Sequence, residues 1–437
     1  MKLSNKMIKI VKNIFFFILF VAVLPVSAQI TSSSPYSQFG LGDLKGSLLP
    51  QNRGMGGLSQ GVRKPGLYDN INLANPASYS SLELTTFDVG ASMDIRNLSK
   101  NGTSGKNQLN STLSHINFGV PVNRFSAISF GLVPYTDLGY QFSNSGLIDT
   151  NKVNYIYSGE GGISKAYMGY GFKLGKKFSF GFNLAYLFGN LKQNRAFEFA
   201  NELTTVFNSR TQYSNSVGGL SYDYGLQYSA EINDKTKFIF GYTGNSGNSL
   251  NSRNNTVTTR YRKDVIGDEL ATADSTYYAV GTKNKIKMPV THTAGFAFEK
   301  TNAWLIGADL TYSKWSDYRE GASNPEYNNS YGVILGGQIT PDANAITNYF
   351  KLVDYRFGIK YDKTFVQIGN NDINQYALTF GVGLPLPRNR SSFYKINLSA
   401  ELGQRGTEKN NLVRDRYLNL HLGFTLNDKW FQKSYIE

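Results

Sequence analysis

Along most of the chain, apolar and polar residues alternate one by one in runs of about ten, with turn residues between the runs. In residues 417–426, Leu418, Leu420, Leu422, Phe424 and Leu426 share one face; Asn419, His421, Gly423 and Thr425 share the other. Successive side chains of a strand point to opposite sides, so each run predicts a strand with one greasy and one polar face. Residues 86–95 repeat the pattern, with Phe87, Val89, Ala91, Met93 and Ile95 opposing Thr86, Asp88, Gly90, Ser92 and Asp94. It recurs in 178–188, 220–232, 304–312 and 376–384. A soluble sandwich also alternates, but it must bury its apolar faces between two sheets. Here the polar faces are rich in Gly, Ser, Asn and Thr and the apolar faces recur in run after run, as on the lipid-facing wall of a barrel.

The connections extend this reading. Tight turns are expected at Asn123-Arg124, Gly175-Lys176-Lys177, Asn233-Asp234-Lys235, Lys300-Thr301-Asn302 and Asp362-Lys363. Long polar stretches at 97–113, 136–164, 191–216, 247–288 and 314–350 lie between them. Short and long connections alternate, as between the periplasmic turns and outer loops of outer-membrane proteins. The fold class predicted is all-β: a closed antiparallel transmembrane barrel of about 14 strands, spanning 82–427, with an N-terminal plug. An even count puts both termini in the periplasm of a Gram-negative bacterium, with 428–437 as a short tail.

Residues 1–28 read as a secretory signal peptide. Lys2, Lys6, Lys9 and Lys12 precede the apolar run 14–23, and Val26-Ser27-Ala28 offers small residues for cleavage. The whole chain of 437 residues carries +14, and removing those four lysines leaves about +10. With an export signal, that charge argues for anionic lipopolysaccharide or acidic partners and against nucleic acid. Cysteine is absent, so disulfides and thiolate metal sites are excluded.

Residues 29–81 do not alternate. They hold Ser34-Pro35-Tyr36-Ser37-Gln38-Phe39-Gly40-Leu41-Gly42-Asp43, then Asn52-Arg53-Gly54-Met55-Gly56-Gly57, then Leu73-Ala74-Asn75-Pro76-Ala77. Such a stretch is a plug in the barrel mouth or an extension lying beneath it. Phe39, Leu41, Met55 and Leu58 favour the plug, because a solvated tail gains nothing from them. Gly54, Gly56 and Gly57 suit close backbone packing. These motifs resemble the N-terminal hatch and Asn-Pro-Ala motif of the FadL/TodX family of outer-membrane transporters. Gly131-Leu132-Val133-Pro134-Tyr135, Tyr186-Leu187-Phe188-Gly189 and the ending Leu426-Asn427-Asp428-Lys429-Trp430-Phe431 resemble strand motifs of that family, the last in the branch found in bacteria with type IX secretion. The resemblance implies passive uptake of hydrophobic molecules such as long-chain fatty acids, with the hatch at Asn75, Pro76 and Ala77. Gly54, Gly56, Gly57 and Phe39 join them as candidate gating residues. It also implies release through a gap in the wall, for which Pro134 is the candidate kink, since proline cannot donate to a ladder.

Catalytic chemistry is not written in the sequence. His115, His292 and His421 stand alone, with no metal-ligand spacing. No Gly-x-Ser-x-Gly elbow exists, and Gly159-Glu160-Gly161-Gly162 lacks the Lys-Ser/Thr of a phosphate loop. Arg253, Arg260, Arg262 and Lys263 read as a solvated basic loop. The chain is therefore expected to be no enzyme and to use no cofactor or metal. Its expected partners are outer-membrane lipid, lipopolysaccharide and a hydrophobic small molecule. The alternative is a structural or docking subunit of an outer-membrane secretion or assembly complex, with protein partners and no transport of its own. The polar loops and the basic charge favour that alternative.

Overall fold

The computed structural model describes residues 34–63, 68–105, 107–199, 206–264, 266–270, 274–321, 325–387 and 392–429. The expected signal peptide and most of the expected C-terminal tail lie outside them. The strands form one antiparallel sheet closed on itself. Fourteen wall strands follow chain order. They are β1 (Thr85–Lys100), β2 (Gln108–Asn123), β3 (Ser126–Ile148), β4 (Asn151–Leu174), β5 (Phe178–Phe199) and β6 (Asn208–Asn233). Next come β7 (Thr236–Asn245 and Ser249–Tyr261), β8 (Asp274–Lys287 and Thr291–Lys300) and β9 (Trp304–Ser313 and Arg319–Glu320). The rest are β10 (Ser330–Ile339), β11 (Asp354–Ile368), β12 (Asn371–Pro385), β13 (Ser392–Arg405) and β14 (Arg414–Asp428). The two pieces of β7 form one wall strand, because Asp223 of β6 faces Asn245 and Gly218 faces Asn251. Closure comes from β14, whose Asp428 pairs with Thr85 and whose Arg414 pairs with Ser99 of β1. Both ends of the strand series therefore stand at one end of the barrel, here termed the turn end; the other is the loop end.

The alternation maps onto the wall as the pattern requires. On β14, Leu420 and Leu422 are exposed while Tyr417, His421, Thr425 and Asn427 are buried. On β5, Phe182, Leu184, Tyr186 and Phe188 face out; Ser179, Asn183, Ala185 and Leu187 face in. The outer surface is a continuous apolar band, the solvent-side arrangement that only lipid rewards.

Connections depart from the expectation in two ways. Asp362-Lys363 is not a turn: β11 runs through it to Ile368, and the chain reverses at Gly369-Asn370, with Gly369 at φ 59°. Phe365, Val366, Ile368 and Ile373 pack against Tyr36 and Phe39, and this apolar contact carries the strand past the two charges. Short and long connections also do not alternate strictly. The loop-end reversal at 149–150 is tight, whereas 340–353 is a long connection at the turn end, and β10 lies inside the supposed loop 314–350. Much of 136–164, 191–216 and 247–288 is strand. β3 and β4 have 23 and 24 residues, about 75 Å at about 3.3 Å each. Crossing a bilayer takes only about 9–11. These upper parts are polar because they stand outside the lipid, and polarity there reports the surroundings rather than the backbone.

Candidate functional site

Residues 34–63 and 68–84 lie along the inner faces of the strands, the first beginning at the loop end and the second leading to Thr85 at the turn end. Ser34 accepts the Tyr36 amide and starts the 3-10 turn Pro35–Gln38; its own amide donates to the Gly139 carbonyl of β3 at 2.9 Å. Asp43–Leu44 pairs antiparallel with Asp137 and Thr136. One helical turn, Pro50–Arg53, ends at Gly54. Gly56 and Gly57, at φ 75° and 102°, then reverse the chain, a conformation that a side chain disfavours. Asn75 caps the next 3-10 turn, Pro76–Ser81, by accepting the Ala77 amide at 3.1 Å. This local use of an Asn before Pro is the usual logic of a cap.

Glycines of the wall let this segment lie backbone to backbone on it. Met55-Gly56 rests on Gly336 of β10 and Gly358 of β11; the Gln60 carbonyl rests on Gly241 of β7; Pro76 rests on Gly181 of β5 and, with Asn75, on Gly225 of β6. A Cβ at any of these five would overlap the segment. Hydrogen bonds fix the same places. The Gly56 amide donates to Thr379 Oγ1 of β12 at 2.7 Å. The Ser59 and Gln60 amides donate to Asp309 Oδ2 of β9 at 2.8 and 3.1 Å. Gln227 of β6 donates to the Gln60 carbonyl at 2.7 Å, and Tyr79 donates to Asn183 of β5 at 3.1 Å. Asn427 of β14 donates to the Asp69 carbonyl at 3.1 Å. Partners on opposite arcs of the wall put the segment across the lumen.

The candidate residues therefore fall into four places rather than one. Asn75, Pro76 and Ala77 are buried against β5 and β6, and Asn75 Nδ2 reaches the Gln60 and Leu226 carbonyls at 3.1 and 3.4 Å. Gly54 lies on Gly381 of β12, and Gly57 under Leu48 and Ile334. Phe39 sits at the loop end beside Tyr36, Val366, Ile373 and Leu412. Pro134 lies on β3 at a register shift against β4, two residues past the last pairing with β2. Sequence reasoning missed the receiving glycines and Asp309, Thr379 and Gln227. Their signal was present only as small or polar residues on inward positions.

Electrostatics hold the segment as well. Asp43 bonds Arg405 at 2.6 Å and lies 3.9 Å from Arg96; Lys45 pairs with Asp94 at 3.0 Å and Asp137 at 3.4 Å. Burial alone would raise the Asp43 carboxyl, but Arg405, Arg96 and Lys45 outweigh it and hold it below the ordinary range. A second network on the wall joins Asp354 to Arg356 at 2.9 Å and to Lys395 at 2.7 Å, with Arg356 also reaching Gln338 and Asn397. All are buried, so each charge requires its partner.

Toward the loop end, Leu41 packs with Leu138, Ile163, Leu187, Leu250, Ile286, Trp315 and Tyr318. This is an apolar core made by the chain itself. Two recesses stand out among the described residues. One, about 480 Å³, lies at the turn end by Asp234, Lys300 and Trp304; the other, about 490 Å³, lies by Ile359, Leu378, Leu402 and Arg416 of β11–β14. Both open outward. His115 bonds Asp88, and His292 bonds Tyr242. Among the described residues no cluster of three His, Cys, Asp or Glu is arranged to hold a metal.

The BamG family model matches residues 7–437. The chain belongs to the BamG family. Among curated proteins none matches the sequence. Solved structures similar to this BamG-family barrel include the P. putida toluene transporter TodX (14% identity, TM-score 0.59, 90% of this chain and 100% of that one). A Pseudomonas aeruginosa FadL homologue matches at 12% identity and TM-score 0.56, over 89% and 99%. The Ralstonia pickettii toluene transporter TbuX matches at 13% and 0.54, over 87% and 98%. At such identities the likeness is one of fold: a closed antiparallel barrel of 14 strands.

Proposed function

We propose that this BamG-family barrel is a structural or docking subunit of an outer-membrane secretion or assembly complex, anchored in outer-membrane lipid with both termini in the periplasm. The observation that supports it is the filled lumen. The leading segment bonds to strands on opposite sides, and Leu41, Leu138, Ile163, Leu250, Ile286 and Tyr318 occupy the space a hydrophobic ligand would need. No covalent chemistry, cofactor or metal is required.

A second reading is passive uptake of hydrophobic molecules, with Asn75-Pro76-Ala77 as hatch. What favours it is the fold shared with toluene transporters and the early end of the β2–β3 ladder beside Pro134. The experiment that separates the two combines native gels after mild solubilisation with uptake of labelled fatty acid by cells depleted of the protein. The docking reading expects a stoichiometric complex and unchanged uptake. A solitary barrel whose depletion abolishes uptake would overturn it in favour of transport.

A further inference from the structure

The outward faces of β11 to β14 are apolar or aromatic almost throughout. They comprise 355, 357, 359 and 361 on β11 and the even positions 376–384, 396–404 and 416–426 on β12, β13 and β14. A single one of these positions is charged, Arg416. Register fixes its neighbours. Tyr376 faces Gln404, and Gln404 faces Arg416; two residues nearer the turn end, Leu378 faces Leu402, and Leu402 faces Leu418. Three side chains able to donate hydrogen bonds therefore stand in a row, and the next outward row is wholly apolar.

The recess of about 490 Å³ lies at this junction, where its lining joins Ile359, Leu378 and Leu402 to Tyr376, Gln404 and Arg416. Lys360 also borders it, but its Nζ is bonded to Glu401 at 2.6 Å. Arg416 is exposed, and its Nε donates to Gln404 Oε1 at 3.4 Å. It makes no ion pair among the described residues. The neighbouring carboxylate, Glu408, is held instead by Arg414 at 2.7 Å and by the Gly102 amide at 3.0 Å.

A cation at the border of an apolar membrane wall is costly without a nearby anion. Arginine meets the cost by laying its stem on apolar surface and keeping its head at the interface. Its planar fork matches two phosphate oxygens at once. A free anion would answer Arg416 and leave the apolar recess unfilled; a neutral hydrocarbon would fill the recess and leave Arg416 unanswered. A phosphorylated lipid does both. We propose that this recess binds the lipid anchor of lipopolysaccharide, with a phosphate on Arg416 and Gln404 and an acyl chain along Ile359, Leu378 and Leu402. The proposal goes beyond the docking reading and holds equally for a solitary barrel. Only the choice of the outer leaflet rests on the reading that both termini are periplasmic.

The test is native mass spectrometry of the full chain in mild detergent, titrated with lipid A and with the same lipid after enzymatic removal of its phosphates. The expected result is one lipid A retained about tenfold more tightly than the dephosphorylated lipid. Arg416→Gln should remove that difference. Leu402→Trp, which fills the recess, should lower retention of both lipids. Leu184→Ala, on the outward face of β5, should change neither. Gel mobility before and after heating shows that each variant is folded. Equal retention of the two lipids by the parent, or a preference that survives Arg416→Gln, overturns the proposal. Displacement of lipid A by inorganic phosphate overturns it too, since the site would then be one for a free anion. A monomeric barrel with the preference keeps this proposal and counts against the docking reading; a stoichiometric complex without the preference does the reverse.

Discussion

Single residues decide how tightly the leading segment is held. Asn75 makes a cap and two bonds to carbonyls in a buried site. Asn75→Ala should ease local opening of 59–80 by about 1–3 kcal/mol, read by native-state hydrogen exchange with the wall amides unchanged. Gly241→Ala pushes a methyl into the Gln60 carbonyl. It should loosen the segment by about 1–3 kcal/mol and expose Arg53 and Arg63 to trypsin. Asp43 supplies a pH dependence whose sign follows from its depressed carboxyl. A group held below its unfolded value of about 3.9 stabilises fully above that pH and loses its contribution as the pH falls through the lower folded value. A spin label at position 46 should therefore be equally immobile from about pH 5 to 8 and loosen only below about pH 4. In Asp43→Asn it should be looser throughout that range. At this scale the sequence revealed the senders and hid the receivers. Asn-Pro-Ala reads as a cap from chemistry local to the chain, whereas Gly241, Gly336 and Gly358 acquire meaning only when a distant backbone lands on them.

Among elements, alternation carried the reading wherever one face met lipid, because lipid demands an uninterrupted apolar face. It failed where strands left the bilayer: 136–164 and 191–216 have no unbroken apolar face and still pair along most of their length. It failed also at Asp362-Lys363, where contacts with Tyr36 and Phe39 outweigh two turn-prone charges. The early end of the β2–β3 ladder was legible in part, through Pro134; the register shifts of β2 and β3 beside it were not. Since Asp43–Leu44 already pairs with β3 beyond it, restoring a donor there should not lengthen the ladder. Pro134→Ala is expected to leave exchange at 109–115 as in the parent, whereas added protection of those amides would show that proline alone ends the ladder.

For the molecule as a whole, closure and strand count followed from the pattern, because an apolar outer face leaves the sheet no other stable form in lipid. A plug was expected from the apolar residues of the leading segment, but the contacts that hold it were not, since they depend on pairings more than 150 residues apart, such as Gln60 with Gln227 and Ser59 with Asp309. Occupancy of the lumen separates a BamG-family barrel that joins partners from one that passes molecules. Single-channel recording in planar bilayers measures it most directly, comparing the full chain with a variant lacking residues 45–80 that is shown to be folded by its gel mobility before and after heating. The full chain should give no steady conductance and the shortened one a large, stable one. Steady conductance through the intact protein, or equal currents from both, would contradict the filled lumen.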